Sequence, residues 1–164
     1  MNPLQRPEEI TIVNYTSAYQ KAFRDLNEEW IAAYFKMEAA DYKALDHPQE
    51  YIIDKGGKIL VALYREQPIA VCALIKMDDP DYGFELAKMA VSPKVQGKRV
   101  GWKLAQEAIK TARELGARKL YLESNTVLKP AISLYRKLGF TEVIGRSTPY
   151  ERCNIQMELI LDLA

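Results

Sequence analysis

The stretch from Tyr82 to Glu123 limits the fold more than any other part of the chain. It opens on an apolar strand-like run, YGFELAKMAV from Tyr82 to Val91, and passes through a polar loop holding Gly97 and Gly101. A helical pattern follows from Gln96 to Leu115, and a second strand-like run, KLYLE, spans Lys119 to Glu123. Leu104, Ala108, Ile109, Ala112 and Leu115 fall on one stripe of the helix, and Gly116 stands where a glycine ends one. Strand, long helix and strand in this order make a right-handed crossover between parallel strands.

The flanking segments add antiparallel partners. Ile10 to Asn14 alternate as a short strand, and Ser17 can cap a helix carrying Phe23, Leu26, Trp30, Ile31, Tyr34 and Phe35. A short helical piece from Glu38 to Leu45 stops at Asp46-His47-Pro48, where proline disfavours helix in the residue before it. KILVALY (Lys58 to Tyr64) and IAVCALIKM (Ile69 to Met77), joined by Arg65 to Pro68, read as a β-hairpin. Beyond Glu123, Pro130 suits a first helical turn, Ile132, Tyr135 and Leu138 follow at three-residue steps, and Gly139 closes the helix. Phe140 to Ile144 and Glu151 to Leu161 read as the last strands. The expected fold is one α/β domain over residues 1–164: a mixed, mostly antiparallel sheet of about seven strands with flanking helices.

Composition narrows the function classes. Of 164 residues, 23 are Lys or Arg and 22 Asp or Glu, a formal charge of +1, so no global positive field gathers nucleic acid or an anionic membrane surface. Cys72 and Cys153 are too few for a disulfide framework and point to a reducing, cytoplasmic setting. With His47 the single histidine, a structural metal site is not expected. The apolar run Ile69 to Ile75 falls short of the ~20 residues that span a bilayer, and MNPLQRPEEI lacks a signal-peptide core, so a soluble, unexported protein is expected.

The loop Val91-Ser92-Pro93-Lys94-Val95-Gln96-Gly97-Lys98-Arg99-Val100-Gly101-Trp102 carries the chemistry. Glycines let the backbone approach a phosphate, the first helical N–H groups lack intrahelical partners, and the helix dipole puts about half a positive charge there. Lys98 and Arg99 add cations. The spacing fits neither the Walker loop nor the dinucleotide G-x-G-x-x-G pattern. Taken by itself, the loop is also compatible with a tight strand-to-helix turn and solvated basic residues.

In its wider context the segment resembles the GCN5-related N-acetyltransferase family, whose coenzyme A motif is Q/R-x-x-G-x-G/A. Here it reads Gln96-Gly97-Lys98-Arg99-Val100-Gly101, with Arg99 where the family prefers its middle glycine. The resemblance extends over roughly residues 58 to 145, through FELAKMAV before the loop and through LESN and AISLYRKLGF after it. It implies that the parallel strands splay and that acetyl-CoA lies between them. Its diphosphate would sit on Gln96, Gly97, Lys98, Arg99, Val100, Gly101 and Trp102, and its pantetheine arm along Met89, Ala90 and Val91. The N–H of Met89 or Ala90 would face the thioester oxygen, and Asn125 could bond the pantetheine or satisfy a loop.

The implied reaction is direct attack of a primary amine on the acetyl thioester. Glu85 stands where some family members carry a general base, although it also reads as an exposed residue of a half-buried strand. Tyr135 matches the family tyrosine beside the cofactor sulfur, and by spacing alone it reads equally as a core aromatic. The acceptor would be a small-molecule or peptide amine, entering over the first helices and the loop before the last strand, with Trp30, Tyr34, Glu38, Tyr150 and Arg152 as possible lining. Cys153 has no histidine near it in sequence and reads as packing. A catalytically degenerate acyl-CoA sensor, or an interaction module, stays open at this level, and a homodimer is compatible with every reading.

Overall fold

The computed structural model describes residues 9–95 and 99–161. Seven strands form a single sheet in the order β1-β2-β3-β4-β5-β7-β6. β1 (Ile10–Asn14), β2 (Lys58–Tyr64), β3 (Gln67–Lys76) and β4 (Gly83–Val91) make an antiparallel meander. β5 (Lys119–Ser124) joins β4 in parallel and pairs antiparallel with β7 (Ile155–Ile160), which pairs antiparallel with β6 (Thr141–Val143). Helices α1 (Gln20–Tyr34) and α2 (Ala39–Asp46) cover one face, while α3 (Val100–Glu114) and α4 (Lys129–Leu138) cover the other. The expected order and the parallel crossover are both present.

Each face buries its own core. Leu104 and Ala108 of α3 pack against Phe84, Leu86, Leu120, Leu122, Phe140 and Met157. Phe23, Leu45, Ile52, Val61, Val71 and Ala90 pack beneath α1 and α2. A strand with both faces covered reads as a continuous apolar run, which is why KILVALY and IAVCALI lack polar alternation.

The differences from the sequence expectations have local causes. Arg65 and Glu66 both take left-handed φ (51° and 66°), so the hairpin turns on two residues and β3 begins at Gln67 instead of Ile69. A turn of 3-10 helix over Ser17–Tyr19 precedes α1, and no side chain caps either piece, so Ser17 is not a cap. α3 begins at Val100 and not at Gln96; Arg99, with left-handed φ of 57°, precedes it, and Gln96, Gly97 and Lys98 lie outside the described residues. Leu115, expected on the buried stripe, follows the end of α3 and is 43% exposed. The last strand starts at Ile155, because Glu151 and Arg152 form a turn, and Arg152 is tied down by side-chain bonds described below. Gly139 has φ of 103° and its missing side chain avoids Leu159, where a Cβ would come within 3.2 Å.

Candidate active site

β4 and β5 are paired only from Gly83 to Glu85, opposite Lys119 to Tyr121. Past that point the strands part, leaving a notch in the sheet between Leu86–Val91 and Leu122–Ser124. The cause is on β4. Val71 pairs with Ala90 and Ala73 with Ala87, so Cys72 alone faces both Lys88 and Met89. This is a β-bulge, and the extra residue bends the strand away from its neighbour. Lys88 has a left-handed φ of 52°, a conformation that costs a non-glycine residue ~1 kcal/mol.

Two buried contacts hold Lys88 in that shape. The Asn27 side-chain amide, itself fully buried on α1, donates to the Lys88 carbonyl at 3.2 Å. The Lys88 ammonium reaches Asp41 on α2 at 2.7 Å and donates to the Tyr150 hydroxyl at 2.8 Å. Burial alone would raise the Asp41 pKa, but the hydrogen bonds and charges of Arg152 and Lys88 outweigh it and bring the carboxyl down to about 2. Asp41 also accepts two bonds from the Arg152 guanidinium, at 2.6 and 2.5 Å. Glu38 accepts from Arg152 at 3.2 Å and from the Glu151 backbone N–H at 2.9 Å.

On the face beneath α3 and α4, the notch is bordered by Met89 and Val91 on β4, by Gly101 on α3, and by Leu134 and Tyr135 on α4. A Cβ added to Gly101 would meet nothing closer than Leu134 at 3.5 Å, an ordinary contact. Packing within the protein therefore does not require a glycine there. The Arg99 guanidinium lies 5.5 Å from the centre of the Trp102 ring, so a fixed cation stands at the start of α3.

Tyr135 is half-buried, 5.9 Å from Phe140 edge-to-face, and burial, with a smaller push from Cys72, raises its pKa to about 12. Its hydroxyl has no hydrogen-bond partner among the described residues. Asn125 is tied into a loop: its amide donates to the Arg152 carbonyl at 2.7 Å and its oxygen accepts the Val127 N–H at 2.9 Å.

The opposite face carries carboxylates. Glu85 pairs in register with Tyr121, so Glu85, Tyr121 and Glu123 share one side of the sheet. Glu85 is half-buried; loss of solvent, then repulsion from Glu123, outweighs attraction to Lys88 and pushes its pKa up to about 7. Glu123 accepts from the Tyr121 hydroxyl at 2.7 Å and from Thr148 at 2.9 Å, and Gln156 donates to the Tyr121 oxygen at 2.9 Å. The segment 144–154, between β6 and β7, is held over this face at both ends. Arg146 pairs with Asp79 at 3.0 Å between the Tyr82 and Tyr121 rings, and Arg152 is locked to Asp41.

Of the residues expected to line an acceptor entry, Trp30, Glu38, Tyr150 and Arg152 converge, with Arg152 4.5 Å from the Tyr150 ring centre and 6.0 Å from that of Trp30. Tyr34 is 62% exposed and stands apart. Asp41, Lys88, Glu123 and Asn27 belong to the cluster and were not picked out from sequence. Lys88 offered a signal: a lysine inside FELAKMAV, with both faces of the strand covered, needs a buried carboxylate. Cys153 is half-buried, its thiol donating to the Ile155 carbonyl at 3.5 Å. Among the described residues no helix is long and apolar enough to cross a membrane.

A seven-stranded sheet notched between its parallel pair, with the start of α3 on one side and an acidic cluster on the other, defines an acyltransferase type of fold. The Acetyltransferase (GNAT) family model matches residues 19–140, and the chain belongs to that family. It is 46% identical over 76 residues to YjgM, an uncharacterized N-acetyltransferase of Escherichia coli K12, covering 44% of this chain and 45% of that protein. Over 87 residues it is 32% identical to streptothricin acetyltransferase of Streptomyces lavendulae, covering 53% and 46%. The matches thus span a little under half the length of these relatives. Among solved structures, a GNAT-family acetyltransferase of Staphylococcus aureus shares the fold with a TM-score of 0.83 at 21% identity, covering 94% of this chain and 100% of that one. The PaiA N-acetyltransferase of Thermoplasma acidophilum, solved with coenzyme A, gives 0.75 at 17% identity, covering 93% and 99%.

Proposed function

We propose that the protein transfers the acetyl group of acetyl-CoA to a primary amine by direct attack, with both substrates bound on opposite sides of the notch. The observation that carries the proposal is the notch itself: two parallel strands that part beside the Lys88 bulge, next to the start of α3. The diphosphate would be held by Gln96 to Trp102, with the backbone N–H groups at the start of α3 and the Arg99 cation supplying the positive potential. The pantetheine amides would pair with the free edge of Met89, Ala90 and Val91 like an added strand.

Bound acetyl-CoA supplies an electrophilic thioester carbon. The protein's part is to deprotonate, orient and neutralise. An alkyl ammonium has a pKa of about 10. Glu85, at about 7, is ionised in part at neutral pH and takes the ammonium proton, directly or through one water. The N–C bond then forms as the C–S bond breaks, and the N–H of Met89 or Ala90 meets the negative charge developing on the thioester oxygen. The second nitrogen proton is lost to the departing thiolate, so the products are amide, thiol and one proton left on Glu85 for solvent.

Tyr135 acts as a hydrogen-bond donor to that sulfur. A phenol near 12 facing a thiol of about 8.5 leaves a gap of about 3.5 in pKa, or ~5 kcal/mol against complete transfer. The hydroxyl therefore stabilises the thiolate and keeps its own proton.

Melting curves with and without saturating acetyl-CoA test the reading before any acceptor is known. A raised midpoint is expected; an unchanged midpoint overturns it. A degenerate acyl-CoA sensor would give the same rise with no thiol release for any amine.

A further inference from the structure

Resting on the transferase reading above, we propose that the acceptor is an amine bearing a second cationic group and no carboxylate next to the reacting nitrogen. Charges on the face beneath residues 144–154 do not balance. Four cations point to it. Lys88 and Arg152 share the fully buried Asp41, with Glu38 taking a further bond from Arg152; Arg146 is paired with Asp79 at 3.0 Å, and Lys119 lies 3.9 Å from Glu158. Two carboxylates on the same face, Glu85 and Glu123, have no ion-pair partner among the described residues. Among the described residues Glu123 receives only the hydroxyls of Tyr121 and Thr148, both neutral donors. Glu85 has no hydrogen bond among the described residues.

A ligand carboxylate entering here finds Glu123 and the partly ionised Glu85, and every cation it could use is already engaged. Recruiting Lys88 or Arg152 would take from Asp41, which is 0% exposed, one of the two cations that compensate its buried charge. A ligand with one ammonium can satisfy Glu85 alone. One with two can give the reacting nitrogen to Glu85 and the other to Glu123, relieving the repulsion between them. Free α-amino acids are therefore poor acceptors, and diamines or amino compounds with a remote second ammonium are good ones.

Four probes of nearly one shape separate the terms: 1,5-diaminopentane, 1-aminopentane, L-lysine and L-lysine methyl ester, each with acetyl-CoA and thiol release as readout. The expected kcat/KM for diaminopentane is at least tenfold above aminopentane and at least tenfold above lysine. The methyl ester should recover most of the loss, since it differs from lysine by masking the carboxylate. Glu123→Gln should shrink the diamine-to-monoamine ratio, with its melting midpoint confirming that it folds. Lysine equal to or better than diaminopentane overturns the inference, as does a diamine no better than the monoamine. If no probe is turned over, calorimetry of diaminopentane into the protein saturated with coenzyme A decides: no heat at millimolar diamine also overturns it. Melting curves with acetyl-CoA run alongside keep the two failures apart. A missing rise removes the transferase reading, whereas a rise with lysine preferred removes only the acceptor class.

Discussion

Glu85 and Tyr135 have opposite requirements, and their surroundings meet them. Glu85 must be ionised to take a proton, and the pKa of about 7 set by lost solvent and by Glu123 places its titration in the neutral range. For an acid with a raised pKa, the active form grows as pH rises through that value. The kcat/KM profile should therefore climb between about pH 6 and 8, and Glu85→Gln should abolish that limb together with most of the rate. A variant profile with the same rise would remove Glu85 from the mechanism. Tyr135 must stay protonated, and at about 12 it does so across the working range. Tyr135→Phe removes one hydrogen bond to the leaving sulfur, so kcat should fall by about 10² at saturating acetyl-CoA with a smaller change in KM. Unchanged turnover would leave the phenol as packing against Phe140. Both positions could be read from the sequence as candidates, Glu85 as a carboxylate interrupting an apolar strand where some family members carry a base, and Tyr135 through the family resemblance alone, since by spacing it reads as a core aromatic. Their protonation could not be read, because it depends on Glu123 and on solvent exclusion, which arise only when β4, β5 and α4 meet.

Among the elements, α2 does more than cover the sheet. Its first turn holds Glu38 and Asp41, which cap the helix reciprocally, with the Asp41 carboxylate accepting the Glu38 N–H at 2.9 Å. The same two side chains grip Arg152 beyond β6 and Lys88 on β4. Asp41→Ala leaves the buried Lys88 ammonium without a carboxylate and Arg152 with Glu38 alone, a loss of ~3–5 kcal/mol. At ~2–4 °C per kcal/mol for a chain of this size, the melting midpoint should drop by about 10 °C; a drop under about 2 °C would show that the cluster contributes little to stability. The pH dependence has a definite sign. The folded Asp41 pKa is depressed from 3.8 to about 2, so its stabilisation is complete above 3.8 and is lost as pH falls toward 2. None of this network follows from helical or strand periodicity. It joins residues 111 positions apart, Arg152 and Asp41, and pattern reading extends only across one element at a time. The last strand shows the same limit: ERCN continues the alternation of IQMELI by letter, yet its first two residues form a turn in which the Arg152 side chain is claimed by α2.

The whole molecule was the most legible level. Element order, the parallel crossover and the two covered faces all follow from periodicity and from the length of the link between Val91 and Lys119, since these are set by local preference and by the need to bury apolar area. The notch was implied only by family resemblance. Its physical origin is a single extra residue in β4, which no period-two pattern marks. If acetyl-CoA fills it as proposed, ligand at one hundred times its Kd should add ~2.7 kcal/mol, a rise in the melting midpoint of about 5–10 °C.

The short parallel ladder has a mechanical consequence. Four strands on one side and three on the other are stitched across the sheet by pairing over only three residues, Gly83 to Glu85. The sheet is thus two leaves on a narrow seam. An extended molecule laid in the gap and bonded to both margins would act as a splint, lending the leaves a stiffness that the polypeptide does not supply along that line.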